Sequence, residues 1–156
     1  MDSIDWKIAE ALERDARISF AALAEEVGLS KSPCWSRVRE LEKHGLLSGY
    51  AARFEHERLG LTVHSQISVT IEANAHEAFE AAVIDHPAIF ECHTTAGASD
   101  YLLRVYARSV DHLDSLLRHE ISKLPGVLSS STTICLKTIK PHASLTRWAR
   151  ESETSA

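Results

Sequence analysis

The first third of the chain carries apolar residues at helical spacing, which predicts three short helices. Their apolar faces are Ile4, Ile8, Ala11 and Leu12, then Phe20, Leu23, Ala24 and Val27, and then Cys34, Val38 and Leu41. Gly28 follows the second helix, where a left-handed turn residue is favoured, and Gly45 is expected to end the third. Two helices joined by a short glycine-containing turn are typical of a helix-turn-helix, a motif that binds DNA.

The outer face of the third predicted helix is polar and cationic. Ser32 is a favourable N-cap and Pro33 suits the first helical position, since the N–H that proline lacks would have no partner there. We therefore expect DNA to be contacted by Ser30, Lys31, Ser32, Trp35, Ser36, Arg37, Arg39 and Lys43. The alternative is an ordinary surface helix whose charged side faces water.

The pattern changes near residues 46–62, after which strand-like alternation and helical spacing take turns. The predicted elements are a strand over 66–72, a helix over 75–86, strands over 88–95 and 101–107, a helix over 113–124 and a strand over 127–140. This βαββαβ order is that of a ferredoxin-like domain. The predicted fold class is therefore α+β, with a helical N-terminal domain before a ferredoxin-like one.

The predicted sheet has both of its helices on one face, because crossover connections are right-handed. Apolar residues at Leu102, Leu103 and 134–136 nevertheless fall on both faces. A second copy of the chain is the simplest cover for the open face, so we expect at least a dimer. A two-fold dimer presents two DNA-binding units and suits a palindromic site in double-stranded DNA.

Composition narrows the function classes further. The 156 residues are 44% hydrophobic and 25% charged, as in ordinary globular proteins. A net charge of −5 argues against a general nucleic-acid coat protein but allows a local basic surface. No apolar run approaches the ~20 residues of a membrane span, and the N-terminus does not resemble a signal peptide. Three widely spaced cysteines fit a reducing cytoplasm better than a disulfide framework.

Residues that could support metal or catalytic chemistry form no recognised pattern. The nine histidines are scattered, without a Cys-x-x-Cys or a His-x-x-x-His on a predicted helix, so we expect no metal site. The sequence contains no Gly-x-Ser-x-Gly, P-loop or glycine-rich dinucleotide motif. We therefore expect a protein that is not an enzyme and that holds no resident cofactor.

Short motifs in both halves of the chain occur together in one family. In the N-terminal half they are Asp5-Trp6-Lys7-Ile8, Asp15-Ala16-Arg17-Ile18-Ser19, Leu23-Ala24, Val27-Gly28-Leu29-Ser30, Ser32-Pro33-Cys34, Arg37-Val38, Leu41-Glu42 and Gly49-Tyr50. In the C-terminal half they are Glu91-Cys92, Thr95, Gly97, Asp100-Tyr101-Leu102-Leu103-Arg104-Val105 and Leu124-Pro125-Gly126-Val127. With these motifs the chain, up to about Leu145, resembles the Lrp/AsnC family of leucine- and asparagine-responsive regulators.

The resemblance implies a DNA-binding transcriptional regulator of metabolic genes that forms dimers and often tetramers or octamers. Its implied domains are a winged helix-turn-helix over 1–47, a linker strand over 48–61, a ferredoxin-like effector-binding and oligomerisation domain over 62–141, and a polar tail over 142–156. The tail goes beyond the usual ending of the family, and we expect it to be frayed.

The resemblance also implies an amino acid or related small metabolite as effector. Its ammonium needs a carboxylate, and its carboxylate needs N–H groups, hydroxyls or a cation. The loop Gly97-Ala98-Ser99-Asp100 carries both, with Asp100 as the partner of the ammonium. The family's pocket adds Thr95, Tyr101, Ser131, Thr132 and Thr133. The alternative is a plain turn, because glycine, serine and aspartate are good turn residues.

Two other functions are compatible with parts of this pattern. A sensor domain that regulates an enzyme would bind an amino acid without binding DNA, but it would not need the three N-terminal helices. An architectural protein would compact DNA without an effector. A ligand-dependent change in DNA affinity or assembly separates that protein from a metabolite-responsive regulator.

Overall fold

The computed structural model describes residues 1–154, which fall into two compact units. One unit comprises Met1–Ala52 together with the C-terminal segment that begins at Lys140, and the other comprises Arg53–Ile139. The first unit is helical and the second contains a four-stranded sheet, so the predicted α+β class is confirmed. Within the described residues, no helix has the length and apolar character needed to cross a membrane.

The first unit begins with the three helices that the apolar spacing predicted. They are α1 (Ser3–Arg14), α2 (Phe20–Val27) and α3 (Lys31–Lys43). The apolar faces form one core, which contains Ile8, Ala11, Leu12, Leu23, Ala24, Val27, Cys34, Val38 and Leu41. At the start of α1, Asp2 and Asp5 form a reciprocal capping box. The core therefore consists mainly of the residues expected from the pattern.

The turn between α2 and α3 corrects one detail of the prediction. Gly28 has the left-handed conformation (φ +74°) expected of a glycine after a helix. The N-cap of α3 is Ser30, not Ser32, because the N–H of Cys34 already donates to the Ser30 carbonyl over 3.2 Å. Pro33 thus lies within the first turn of α3 rather than at its first position. Residues of the first turn donate no hydrogen bond within the helix, so a proline is tolerated there.

The second unit has the predicted order of strands and helices. It contains β1 (Val63–Ile71), α4 (His76–Ile84), β2 (Ile89–Thr94), β3 (Tyr101–Ala107), α5 (Val110–His119) and β4 (Val127–Cys135). The strands pair antiparallel in the order β2-β3-β1-β4. The core is formed mainly by alternate residues of β1 and β3 with one face of each helix: Ile67, Val69, Tyr101, Leu103, Val105, Phe79, Val83, Leu113 and Leu116. Gly126 precedes β4 with φ +71°, where a Cβ would lie 2.1 Å from that of Ala75.

The open face of the sheet is more polar than the sequence pattern suggested. Leu102 lies on this face, opposite the core residues of β3, as expected. Ile134 pairs with the fully buried Ser65 on the core face, and the next residue, Cys135, lies on the open face, so this strand has apolar residues on both faces as expected. Strict alternation sends other β4 residues to the open face, namely Ser129, Ser131 and Thr133.

The connection between the units is also different from the prediction. The described residues 48–61 contain no strand, and a 3₁₀ turn occupies His56–Leu59. An extended segment becomes a strand only when another strand accepts and donates its backbone hydrogen bonds, and none does so among residues 1–154. The wing of the predicted helix-turn-helix is absent for the same reason: the described part of the first unit has no strand. The last strand ends at Cys135, earlier than predicted.

The C-terminal segment forms a helix, α6 (Leu145–Thr154), rather than the frayed polar tail that we expected. This helix packs on α1, and Arg150 places its Nη1 2.9 Å from Oε1 of Glu10. Its first turn is capped by Ser144, whose hydroxyl accepts the N–H of Arg147 over 3.1 Å. The expectation of a frayed tail was wrong because polar contacts with α1, which the sequence of the tail does not reveal, order this segment as a helix. Residues 155 and 156, the end of the predicted tail, lie outside the described residues.

Glu13, near the end of α1, supplies most of these polar contacts. Its carboxylate accepts hydrogen bonds from the hydroxyls of Ser144 (2.7 Å) and Thr146 (2.5 Å) and from the N–H groups of Leu145 (2.8 Å) and Thr146 (3.2 Å). Desolvation of the carboxylate opposes its ionisation, but the four hydrogen bonds outweigh that effect. The pKa of Glu13 is thereby lowered from 4.5 to about 2.

Replacement of Glu13 by glutamine should remove a contribution to stability that depends on pH. A carboxyl group whose pKa is lowered on folding stabilises the protein above its unfolded pKa of 4.5, and this effect is lost as pH falls toward 2. The difference in melting temperature between wild type and Glu13→Gln should therefore shrink as pH falls from about 6 to about 3. Glu25→Gln, at an exposed position on α2, is the matched control. A difference that stays constant with pH would contradict this role of Glu13.

Candidate nucleic-acid interface and effector site

The face of α3 that we expected to contact DNA is turned away from the core. Cys34, Val38 and Leu41 are buried, whereas the row on the opposite side is exposed: Ser32, Ser36, Arg39 and Lys43. The side chains of the two cations in this row are 63% and 73% exposed. Ser30 and Lys31, at the start of the helix, are exposed as well. The predicted orientation of the helix is confirmed, and contact with DNA stays a prediction.

Arg37 occupies a different environment from the other cations of α3. Its Nη1 donates to Oδ2 of Asp2 over 2.5 Å and to Oδ1 of Asp5 over 2.7 Å, and its side chain is 34% exposed. The N–H of Asp5 and the Arg37 guanidinium lower the pKa of Asp2. The two ion pairs connect α3 to the start of α1, so the guanidinium that we expected to contact DNA is engaged within the protein.

Trp35 lies beside Arg39 on the exposed side of α3. The ring of Trp35 is 5.2 Å from Cζ of Arg39, and the residue is 49% exposed. Nη1 of Arg39 is also 3.5 Å from Oε2 of Glu42 on the next turn of the helix. The hydroxyl of Tyr50, which follows α3, donates to the other oxygen of that carboxylate over 3.2 Å. Apolar spacing along the sequence gives no indication of a role for Glu42 or Tyr50, because it does not reveal which side chains pair.

The predicted effector loop connects β2 to β3 and is closed by its own hydrogen bonds. The N–H of Thr95 donates to the carbonyl of Asp100 over 2.8 Å, and its hydroxyl donates to the carbonyl of Ser99 over 2.5 Å. Oδ2 of Asp100 accepts the N–H of Ile71 over 2.9 Å. Gly97 and Ala98 are exposed at the tip. The loop therefore has the turn structure that the sequence favoured, and the Asp100 carboxylate has a structural role.

The other predicted effector residues are distributed over both faces of the sheet. Ser131 and Thr133 lie on the open face and pair with Ser68 and Gln66 of β1. Thr132 points to the opposite face, because neighbouring residues of a strand alternate. The hydroxyls of Ser131 and Thr133 are therefore the two that a ligand on the open face would meet.

Tyr101 is placed in the core and not at the loop surface. It is 1% exposed, and its ring packs against that of Phe79 with the centroids 4.6 Å apart. Its hydroxyl donates to Oε1 of Glu80 over 2.7 Å and lies 2.8 Å from Nδ1 of His76. Burial, followed by the interaction with Glu80, raises the pKa of Tyr101 to about 12. Within a single chain, the side chain of Tyr101 is buried and is not exposed to an effector at the loop.

The open face of the sheet carries an aromatic cluster that was not predicted from the sequence. Tyr106 is at its centre, with its ring 4.7 Å from that of His64, 4.6 Å from His56 and 4.9 Å from Phe90. Burial, and then the nearby Arg104 and His56, lower the pKa of His64 and so favour its neutral form. This cluster and Leu102 form the apolar part of the open face. Among residues 1–154, no group of three or more His, Cys, Asp and Glu could hold a metal ion.

Replacement of Arg37 by alanine should reveal a structural role by lowering the melting temperature of the protein. The substitution leaves Asp2 and Asp5 without their shared cation, whereas Arg39→Ala removes a mostly exposed side chain. Thermal unfolding followed by circular dichroism should therefore show a larger decrease for Arg37→Ala than for Arg39→Ala. Asp5→Asn should lower the melting temperature as well. Equal stability of Arg37→Ala and wild type would show that these ion pairs do not hold α3.

Comparison with known proteins gives a consistent result for both units. The family model of the Lrp/AsnC ligand binding domain matches residues 65–145, and that of the AsnC-type helix-turn-helix domain matches residues 1–42. The transcriptional regulatory protein DoeX of Halomonas elongata is 40% identical over 151 residues, which span 93% of this chain and 94% of that protein. The leucine-responsive regulatory protein of Salmonella typhimurium is 35% identical over 143 residues, or 90% of this chain and 87% of that one.

Solved structures are similar over almost the same length. The transcriptional regulator NMB0573 of Neisseria meningitidis, determined in complex with L-Met, superimposes with a TM-score of 0.90. The two chains are 31% identical, and the match covers 93% of this chain and 96% of that one. Both the helices and the sheet are therefore shared with a regulator whose structure contains an amino acid.

Proposed function

This chain belongs to the Lrp/AsnC family of transcriptional regulators, and we propose that its α3 helix contacts double-stranded DNA while its second unit binds an amino acid or related small metabolite. It is a DNA-binding regulator whose activity depends on a ligand. The observation that carries the proposal is the exposed row Ser32, Ser36, Arg39 and Lys43, on a helix whose opposite face is buried.

The contacts with DNA divide by chemistry. Arg39 has a planar guanidinium suited to a guanine in the major groove, whereas Lys43 is a flexible point charge suited to phosphate. Ser32 and Ser36 have short hydroxyls that suit either a base edge or the backbone. Arg37 is engaged by two carboxylates, so we assign it to holding α3 and not to the DNA surface.

The effector is proposed to bind at the loop between β2 and β3 and on the adjacent open face. Gly97, Ala98 and Ser99 offer backbone N–H groups and a hydroxyl to a carboxylate. Asp100 uses Oδ2 for the N–H of Ile71, which leaves the negative charge and Oδ1 as partners for an ammonium. Ser131 and Thr133 add hydroxyls on the same face as the aromatic cluster. The complex of the Neisseria meningitidis regulator with L-Met supports an amino acid as the class of ligand.

Self-association is proposed to cover the apolar part of the open sheet face. Phe90 and Tyr106 pack edge to face, and Leu102 is a further apolar residue on the same face among polar side chains. Such a mixed surface is typical of an interface rather than a core. A two-fold dimer would bring two α3 helices to a palindromic operator, and larger assemblies would add further copies. The unpaired cysteines favour a cytoplasmic location, which is consistent with binding to DNA.

Replacement of Arg39 by alanine should weaken binding to specific DNA by about 1–3 kcal/mol if this residue contacts a base. Lys43→Ala should instead weaken binding to all sequences and reduce the slope of affinity against salt concentration. Fluorescence anisotropy with an operator duplex and with a scrambled duplex distinguishes the two effects. Arg53→Ala, outside α3, is a control for loss of positive charge. Unchanged operator binding in both α3 variants would rule out this helix as the DNA-contacting element.

Asp100→Asn should abolish the response to the effector without changing DNA affinity in the absence of ligand. The amide oxygen of asparagine can still accept the N–H of Ile71, whereas the negative charge that pairs with an ammonium is lost. The amino acid is first identified by a thermal-shift screen, since a ligand at about 100 times its Kd adds about 2.7 kcal/mol of stability. Calorimetry then compares its affinity for wild type and variant. Equal affinities would show that Asp100 does not bind the ammonium of the effector and that the loop serves only as a turn.

A DNA-compacting protein without an effector is the other outcome of these experiments. It would bind DNA through α3, and no amino acid in the screen would change its DNA affinity or its assembly. The ligand titration therefore distinguishes this function from that of a metabolite-responsive regulator, even if every prediction for α3 holds.

A further inference from the structure

Four side chains of the first unit form a continuous set of contacts beside the exposed row of α3. Trp35, Arg39, Glu42 and Tyr50 line one groove of about 350 Å³, together with apolar residues from α1 and α2 such as Leu12. Three of these side chains belong to α3, and Tyr50 belongs to the segment between α3 and the start of the second unit. Arg39 is the member of the set whose chemistry suits a base in the major groove.

Trp35 restricts Arg39 from one side. The guanidinium carbon lies 5.2 Å from the centroid of the indole ring, within the range of a cation–π contact. An exposed arginine otherwise populates many rotamers, and ordering them opposes binding. A guanidinium that already rests on an aromatic ring loses less freedom when it meets a base.

Glu42 restricts Arg39 from a second side and is itself held by Tyr50. One carboxylate oxygen lies 3.5 Å from Nη1 of Arg39, and the other accepts the Tyr50 hydroxyl over 3.2 Å. Partial burial and the interaction with Glu42 raise the pKa of Tyr50, so its hydroxyl remains a proton donor at neutral pH. The negative charge of Glu42 also offsets the attraction of Arg39 for phosphate, which is the part of DNA binding that does not depend on sequence.

We propose that Trp35, Glu42 and Tyr50 are positioning residues that hold the Arg39 guanidinium for a base pair and thereby set the sequence selectivity of α3. The proposal rests on the function assigned above, and it adds residues that the exposed row does not contain. A bidentate contact with guanine requires both N–H groups of the fork to be aligned with O6 and N7. The Trp35 ring and the Tyr50-bound carboxylate of Glu42 lie on two sides of the guanidinium and so restrict the orientations that it can adopt.

The proposal predicts a change in selectivity rather than in total affinity. The probes are a duplex selected from a random DNA library by the full-length wild-type protein and a scrambled duplex of the same composition. Loss of one hydrogen bond in Tyr50→Phe should lower the ratio of the two affinities roughly two- to tenfold. Trp35→Leu should lower the ratio as well. Glu42→Gln should lower it while increasing affinity for the scrambled duplex, because a negative charge near DNA is removed.

A double-mutant cycle with Arg39→Ala separates positioning from a general structural effect. In the Arg39→Ala background, Tyr50→Phe should cause no further loss of selectivity, because the side chain that it positions is absent. Ser122→Ala, which removes an exposed hydroxyl of the second unit that donates to the Arg118 carbonyl, should leave selectivity unchanged. Thermal unfolding of each variant confirms that the comparison is made on folded protein.

The outcomes distinguish this proposal from the assignment of α3. If Arg39→Ala lowers selectivity but Tyr50→Phe and Trp35→Leu do not, the positioning role is overturned and the DNA-contacting helix stands. If Tyr50→Phe has the same effect with and without Arg39, Tyr50 acts through the fold and the proposal is again overturned. If Arg39→Ala itself leaves selectivity unchanged, both this proposal and the role of Arg39 in the proposed function fail.

Discussion

The burial of one face of α3 against α1 and α2 is the constraint on which the first unit depends. Cys34, Val38 and Leu41 are between 0% and 8% exposed, so they fix the rotation of the helix about its own axis. Once that rotation is fixed, 3.6 residues per turn place Arg39 and Lys43 on the opposite side. The hydrophobic core thus determines which charges of α3 face outward.

Two arginines of α3, Arg37 and Arg39, have different electrostatic environments and therefore different roles. Arg37 lies at the boundary between the buried and exposed faces, close enough to the start of α1 to meet Asp2 and Asp5. Arg39, only two positions along, has an aromatic ring and a single carboxylate beside it. An acidic chain with a net charge of −5 can therefore present a small basic surface, because many of its carboxylates are engaged elsewhere. Glu13 is one example, with its hydrogen bonds to the start of α6.

Most of the fold could be predicted because it follows from local patterns. Apolar spacing identified α1, α2 and α3, and strict alternation identified β1. The other strands were identified by composition and by their position between helices and turns. The features that could not be predicted depend on contacts between distant parts of the chain. Arg37 meets Asp2, Asp100 accepts the N–H of Ile71, and α6 is ordered largely by Glu13 and Glu10. The N-cap of α3 differed because the tight turn after α2 lets helical hydrogen bonding begin earlier.

The candidate sites show the same division. The exposed row of α3 was predictable as a face of a helix, whereas the interaction of Glu42 with Tyr50 required the path of the chain after α3. The hydroxyls of β4 were predictable as a group, but only the observed register separates Ser131 and Thr133 from Thr132. The segment from Lys140 returns to the first unit, so the second unit is covalently connected to it at both ends.

Hydrogen–deuterium exchange of the full-length protein tests the central claim most directly, because one experiment reports on both units. The measurement compares the protein alone, with a selected DNA duplex, and with the amino acid that stabilises it. We predict that DNA slows exchange most in peptides covering residues 30–44, and that the amino acid slows it most in peptides covering 95–101 and 129–133. Protection by DNA confined to the second unit, or protection by the amino acid confined to α3, would contradict this account of the protein.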